Sequence, residues 1–480
     1  MINRTSLATR ALVALGALAS CALIPNFAHA GGLYLFDRGA RALSRGGAFV
    51  AGADDPQSLW YNPAGLADSK NQILSDAVLS LMVNTEFTRT NTVDGNTYEY
   101  PGVKPKSLPL PIPTLAISHK FGLKDWTFGL GVFAPNTIIL GWPQSVKVGM
   151  QNQPAPTRYS LNAHGLRGSI LANVALGVAW EPVQGLKIGA DVQLVVGQFR
   201  ARQVLSACDR TVCAQPEDPS YDAEADLKLM SAAVTGVFGI IYDAKILRLG
   251  ASVTLPHKLQ GKGDLNLKLP TAGIFEGASL TGSQKVDVGV DFPLVMRFGS
   301  ELRPVKALRM EGAFVIEKWS SQKTIEIEPN GLQIQNVVGI GTYDVGPVTI
   351  QRKMKDTWSL RGGMEIFVPR RWSPWSLKWA LRGGLAYEKG AFSSNAMTPL
   401  TLDSDKVILS GGFGVNLHKR VRFDTVLGYM FMKDMNVTDS SIRQPQAIRP
   451  TQADYGTALG NGKYKMDALF LGGALVFDIN

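Results

Sequence analysis

The chain has 480 residues, 45% of them hydrophobic and only 18% charged, with 50 glycines and a formal net charge of +10. Lysine and arginine are dispersed rather than gathered in runs, which argues against a nucleic-acid partner. A soluble protein of this length needs two or three domains, whereas the strand pattern beyond residue 70 needs one.

The N-terminus reads as an export signal. Arg4 and Arg10 make a basic start, residues 11–24 an apolar run, and Ala28-His29-Ala30 a small-x-small cleavage site. The run is too short to cross a bilayer as a helix, which takes roughly 20 residues. Leu18-Ala19-Ser20-Cys21 also reads like a lipoprotein site, which would place a lipid on Cys21. The Ala30 site is preferred, because the sequence from Gly31 looks like a mature N-terminus. Without Arg4 and Arg10 the chain keeps 47 basic and 39 acidic residues. No later stretch is apolar for about 18 residues, so no transmembrane helix is expected. Only Cys208 and Cys213 remain after cleavage, an even and minimal count that suits an oxidising compartment.

Residues 31–70 show no alternation. They are small and glycine-rich, and they precede the first strand, as expected of a plug, or hatch, folded into a barrel.

Beyond residue 70 the dominant period is two, the period of a strand. Trp375, Leu377, Trp379, Leu381, Leu385 and Tyr387 alternate with Ser376, Lys378, Ala380, Arg382, Ala386 and Glu388. Leu186, Ile188, Ala190, Val192 and Leu194 alternate with Lys187, Asp191 and Gln193, and Trp358, Leu360, Met364 and Ile366 with Ser359, Arg361 and Glu365. Val286, Val288, Val290, Phe292, Leu294, Met296 and Phe298 read as one apolar face opposite Asp287, Asp291 and Arg297. Such segments run to about ten residues or more, which suits a membrane-spanning strand better than a soluble one.

Strands are expected at 71–90, 112–122, 125–134, 166–181, 185–203, 223–242, 246–260, 283–299, 305–320, 355–368, 375–389, 404–417, 421–435 and 465–480. The gaps alternate between short and long. The short ones are Gly122–Lys124, Pro182–Gln184, Asp243–Lys245, Ser300–Pro304, Pro369–Pro374 and His418–Arg420. An even number of strands with short periplasmic turns and long outer loops is the outer-membrane barrel pattern. The fold expected is all-β: a transmembrane antiparallel barrel of about 14 strands (71–480), preceded by a signal peptide (1–30) and a hatch (31–70).

Three elements before the first strand carry a resemblance: Ala42-Leu43-Ser44-Arg45-Gly46-Gly47-Ala48-Phe49, Ala53-Asp54-Asp55 and Asn62-Pro63-Ala64-Gly65-Leu66. Together with the Gly-rich start they resemble the FadL/TodX family of outer-membrane transporters. The resemblance implies a 14-stranded barrel with Asn62-Pro63-Ala64 in a hatch that fills it. It further implies passive uptake of long-chain fatty acids, or alternatively of aromatic or aliphatic hydrocarbons, through an opening in the wall. Barrels of this kind usually end on an aromatic residue, whereas this one ends Phe477-Asp478-Ile479-Asn480. The family's ligand contacts do not map onto this sequence by motif.

The residues themselves offer further candidates. Arg309, Arg361 and Arg382 fall on the inward face, each near an acidic residue of the same face: Glu311, Glu365 and Glu388. Such charges can fill and rigidify the lumen, or a guanidinium can hold a carboxylate bidentately. Gly129 and Gly131 within a strand, with Pro135 at its end, suit a kink in the wall. Cys208 and Cys213 suit a disulfide that staples an outer loop.

Catalysis finds no motif. His119, His164, His257 and His418 lack metal-ligand spacing. Gly277-Ala278-Ser279-Leu280-Thr281 lacks the final glycine of a nucleophile elbow. The expectations are therefore no metal, no cofactor and no enzyme. The expected form is a monomer in the outer membrane of a Gram-negative bacterium, facing lipid and lipopolysaccharide. The readings of another class are a barrel-anchored lipase and an adhesive or structural barrel.

Overall fold

The computed structural model describes residues 37–93, 96–106, 109–134, 141–160, 170–208, 213, 217–444 and 457–479. The signal segment, Cys21, residues 31–36 and Pro135 lie outside the described residues.

Fourteen antiparallel strands close on themselves. In chain order they are β1 (Gln72–Val93), β2 (Leu110–His119), β3 (Trp126–Phe133), β4 (Ile170–Val183), β5 (Leu186–Ser206) and β6 (Asp222–Ala244). β7 comes next in two pieces, Leu247–Thr254 and His257–Lys268, and β8 likewise, Lys285–Phe292 and Val295–Val305. Then come β9 (Leu308–Glu317), β10 (Thr357–Phe367), β11 (Lys378–Glu388), β12 (Lys406–His418), β13 (Val421–Met432) and β14 (Gly462–Asp478). Each strand pairs with the next, and β14 pairs back to β1 from Gln72↔Asp478 to Arg89↔Gly462. Closure pairs the first strand with the last, which is what lets strands lie in lipid, where no water satisfies a bare backbone.

Alternation produces the two faces. On β5, Ile188, Val192 and Leu194 are exposed while Lys187, Asp191 and Gln193 are buried. On β11, Leu381 and Leu385 face outward, and Ala380, Arg382 and Ala386 face inward. An apolar outside and a filled inside are the physics of a barrel in a bilayer.

Two expectations need correction. The short turn placed at Ser300–Pro304 lies within β8, and the chain reverses at residues 306–307. The apolar set Val286 to Phe298 is not one face. Val286, Val288, Val290 and Phe292 point inward, whereas Phe298 is exposed. The break at Pro293, which has no N–H for the ladder, shifts the alternation by one residue, and that shift moves every side chain to the other face. Asp287 therefore faces outward, beside Lys262, rather than into the lumen.

The hatch sits inside the barrel. It comprises α1 (Ala40–Leu43), α2 (Ser58–Tyr61) and a 3-10 turn at Pro63–Asp68. Gly46 and Gly47, both at positive φ, end the first helix within one turn. Nearly every residue from Arg38 to Ala67 is buried.

Candidate functional site

Asn62 organises the lower end of the hatch. Its side-chain oxygen accepts from Ala64 N–H at 3.2 Å, and Pro63 fills the first position of the turn, where no N–H is needed. Its amide donates to the Val50 carbonyl at 3.1 Å and to the Ile240 carbonyl of β6 at 3.2 Å. The wall makes room for this. A Cβ on Gly239 would overlap Asn62, and one on Gly189 would overlap Pro63 and Ala64.

Charge holds the rest of the hatch. Arg41 meets Asp54 at 2.5 Å, Asp55 at 2.9 Å and Glu365 of β10 at 3.3 Å. Arg45 meets Glu301 of β8 at 2.8 Å and Glu311 of β9 at 3.0 Å. Glu311 also accepts from the backbone N–H groups of Val50, Ala51 and Gly52 at 2.7, 2.8 and 3.0 Å. Burial alone would raise the Asp54 carboxyl, but Arg41 and Arg309 together pull it well below the usual carboxylate range.

Two of the three inward arginines, Arg309 and Arg382, belong to the same network, and Arg361 has carboxylates of its own. Arg309 reaches Asp54 at 2.7 Å and Glu301 at 3.0 Å. Arg382 reaches Glu365 at 2.7 Å and Asp424 of β13 at 2.8 Å. Arg361 pairs with Asp37 and lies 3.7 Å from Glu388. Their charge is already matched by protein carboxylates.

Towards the outer ends of the strands the lumen changes character. One apolar cluster gathers Leu229, Leu259, Val290, Phe292, Trp319 and Phe392, among others. A second gathers Trp142 with five methionines, Met82, Met397, Met430, Met432 and Met466. Between these clusters and the hatch lies a cavity bordered by Trp60, Asn173, His257, Arg297, Glu317 and Arg361. Methionine side chains are unbranched and adapt to irregular shapes.

The third strand borders the hatch through its glycines. Gly129 and Gly131 lie in an uninterrupted ladder, paired to Ser118 and Ala116 on one side and to Gly177 and Ala175 on the other. A Cβ on Gly129 would come within 3.0 Å of Leu66, so the glycine gives hatch side chains room. The β3 ladder stops at Phe133, which packs 5.7 Å from Trp60. Among the described residues, Leu110–Ile112 of β2 and Ile170–Ala172 of β4 have no partner on the β3 side. In the outer loop after β5, Cys208 is joined to Cys213 with their Cα atoms 5.4 Å apart.

The family described as outer membrane protein transport protein (OMPP1/FadL/TodX) matches residues 21–472. The chain belongs to this family. It is an outer-membrane transport protein for hydrophobic compounds, and the family's members are transport channels rather than enzymes. A Pseudomonas aeruginosa FadL homologue superposes with a TM-score of 0.71 at 15% identity, covering 94% of this chain and 100% of that one. The Pseudomonas putida toluene transporter TodX gives 0.59 at 14% identity, with coverages of 94% and 100%. The Ralstonia pickettii toluene transporter TbuX gives 0.56 at 15%, with 92% and 98%. At these identities the likeness concerns the fold. No curated protein sequence matches the chain.

Sequence reading of this family member missed Arg41, Arg45, Asp54 and Asp55 as the charges that seat the hatch. The signal was present: two arginines four residues apart, and an acidic pair, in an otherwise small and apolar segment.

Proposed function

We propose that this transporter takes up long-chain fatty acids passively. The observation that carries the reading is the division of the lumen, charged around the hatch and apolar towards the outside. Barrel interiors are usually polar, and a salt or sugar channel has no use for two dry apolar clusters. A long acyl chain does: about 0.8 kcal/mol is gained for each methylene removed from water. The Met-rich cluster suits chains of varied length and bend. The solute then reaches the cavity beside Trp60. It leaves sideways past Phe133, where the β3 ladder ends, without passing the sealed hatch.

Hydrocarbon uptake is a second reading, favoured by the likeness to structures described as toluene transporters. Uptake of labelled oleate and labelled toluene into cells with and without the gene separates the two. The expected result is gene-dependent oleate entry. Gene-dependent entry of toluene alone would replace the reading with the second, and entry of neither would sink both.

A further inference from the structure

The periplasmic rim carries charge of one sign over four consecutive turns, those after β6, β8, β10 and β12. In residues 243–246, 303–308, 368–378 and 417–421, Lys245, Lys306, Arg371, Lys378, Lys419 and Arg420 are all exposed. The one carboxylate of these segments is Asp243, which Arg303 already holds at 3.2 Å. Like charges crowded on one rim repel one another, so an arc of this kind is most stable against an anionic surface.

The same arc exposes large rings. Trp372 is 69% exposed and Trp375 81% exposed, both in the turn after β10. Trp375 holds φ at 53°, a left-handed conformation that is costly for a residue other than glycine. Arg371 lies over the Trp372 ring, its guanidinium carbon 4.8 Å from the ring centre. Trp375, Trp379 of β11 and Phe413 of β12 follow one another at 6.0 and 5.4 Å. Indole rings settle where lipid meets water, and here that boundary is lined with cations.

A pocket of about 310 Å³ opens beside these turns. The Phe367 N–H donates to the Ala307 carbonyl at 2.8 Å and so ties the turns after β8 and β10 together. Val305 and Phe367, both exposed, form the apolar lips of the pocket. Arg303 and Lys306 line it. Arg303 uses Nε for Glu301 at 2.6 Å and Nη1 for Asp243 at 3.2 Å, which leaves Nη2 for another acceptor. The hatch contributes Asp54 and Asp68, and both carboxylates are already paired, the first with Arg41 and Arg309, the second with Arg248 and Lys187. An acyl chain among these charges would remove their water and replace it with nothing. A phosphate can accept from both donors, and its acyl chains would leave past the apolar lips.

We propose that this rim docks anionic phospholipid of the inner leaflet, with the lipid phosphate in the pocket at Arg303 and Lys306. Arg371, Trp372 and Trp375 lie against the adjoining headgroups. The partner is recognised by a phosphate with net negative charge on two acyl chains. The assignment is independent of which solute the barrel carries.

Dioleoyl phosphatidylglycerol and dioleoyl phosphatidylcholine provide the test, because they share phosphate and tails and differ in net charge. Binding of each to the purified, detergent-solubilised protein is titrated by native mass spectrometry. The proteins compared are wild type, Lys306→Gln/Arg371→Gln, and Lys124→Gln/Lys262→Gln, which removes the same charge from exposed positions outside the arc. The expected result is a preference of about tenfold for phosphatidylglycerol in the wild type. The first double variant loses most of it and the second keeps it, with all three proteins heat-modifiable on a gel. Equal affinity of the wild type for the two lipids overturns the proposal. So does a Lys306→Gln/Arg371→Gln variant that binds as the wild type does, or equal loss in both double variants, because overall charge alone is then at work. Displacement of phosphatidylglycerol by oleate at equal concentration also overturns it, since the pocket is then a carboxylate site and not a lipid seat.

Discussion

Arg382 is buried and donates to Glu365 and Asp424, one on the neighbouring strand and one two strands away. Replacing it with methionine keeps the volume and leaves two buried carboxylates facing each other. Breaking such a pair costs about 3–5 kcal/mol. Arg382→Met is expected to lower the temperature at which the folded barrel converts to the slower-migrating band on a gel, and to impair binding of oleate and of its neutral counterpart oleyl alcohol alike. Selective loss of oleate would instead return Arg382 to the role of headgroup ligand. Gly239→Val tests the hatch seat. Its side chain has no room beside Asn62, and overpacking of this kind costs about 1–3 kcal/mol. The expected outcome is a displaced hatch, read as increased single-channel conductance in planar bilayers, with strand content unchanged by circular dichroism. Alternation showed that the arginines point inward, but not what they meet. Arg41 and Glu365 are 324 positions apart, and no local pattern reports a contact of that span.

Strands were legible where they lie in lipid and less so beyond it. On β5, β10 and β11 the apolar and polar sets track the sequence alternation. On β8 the strand outgrows the bilayer, and the proline break reverses the faces above it. The sequence holds valines on both sides of that reversal, so periodicity alone runs through it. The start of β11 shows the same limit: Trp375 continues the alternation, yet it sits in the preceding turn with φ at 53° and is largely exposed. The bridged pair Cys208 and Cys213 closes a short ring in the loop after β5. In the chain-entropy description so short a loop contributes roughly 2–3 kcal/mol. Non-reduced peptide mass spectrometry is expected to find the two cysteines in one linked peptide; free thiols there would remove the staple.

The molecule as a whole is a closed barrel with a charged stopper, and the closure was legible from the count and spacing of strands. The stopper was recognisable by its Asn-Pro-Ala element, but its attachment was not. That attachment sets a pH dependence. Asp54 has a depressed pKa in the folded state, so its stabilising effect is complete above the unfolded value of about 3.9 and fades as pH falls through the folded one. The hatch should resist limited proteolysis from pH 8 down to about 5 and loosen only in stronger acid. Cleavage between residues 37 and 70 that rises already between pH 7 and pH 5 would contradict this account.

The same attachment bears on how the protein is built. The hatch is the first part of the described chain, yet its partners are Ile240 on β6, Glu301 on β8, Glu311 on β9 and Glu365 on β10. Until those strands stand side by side, Arg45 has neither of its carboxylates and Asn62 lacks its contact with the wall. The segment that leads the sequence is therefore the last to find its place. A barrel that closes with a strand missing or out of register would have no seat for it, and its lumen would stay open. Occupancy of the lumen by the hatch thus reports that assembly has finished correctly.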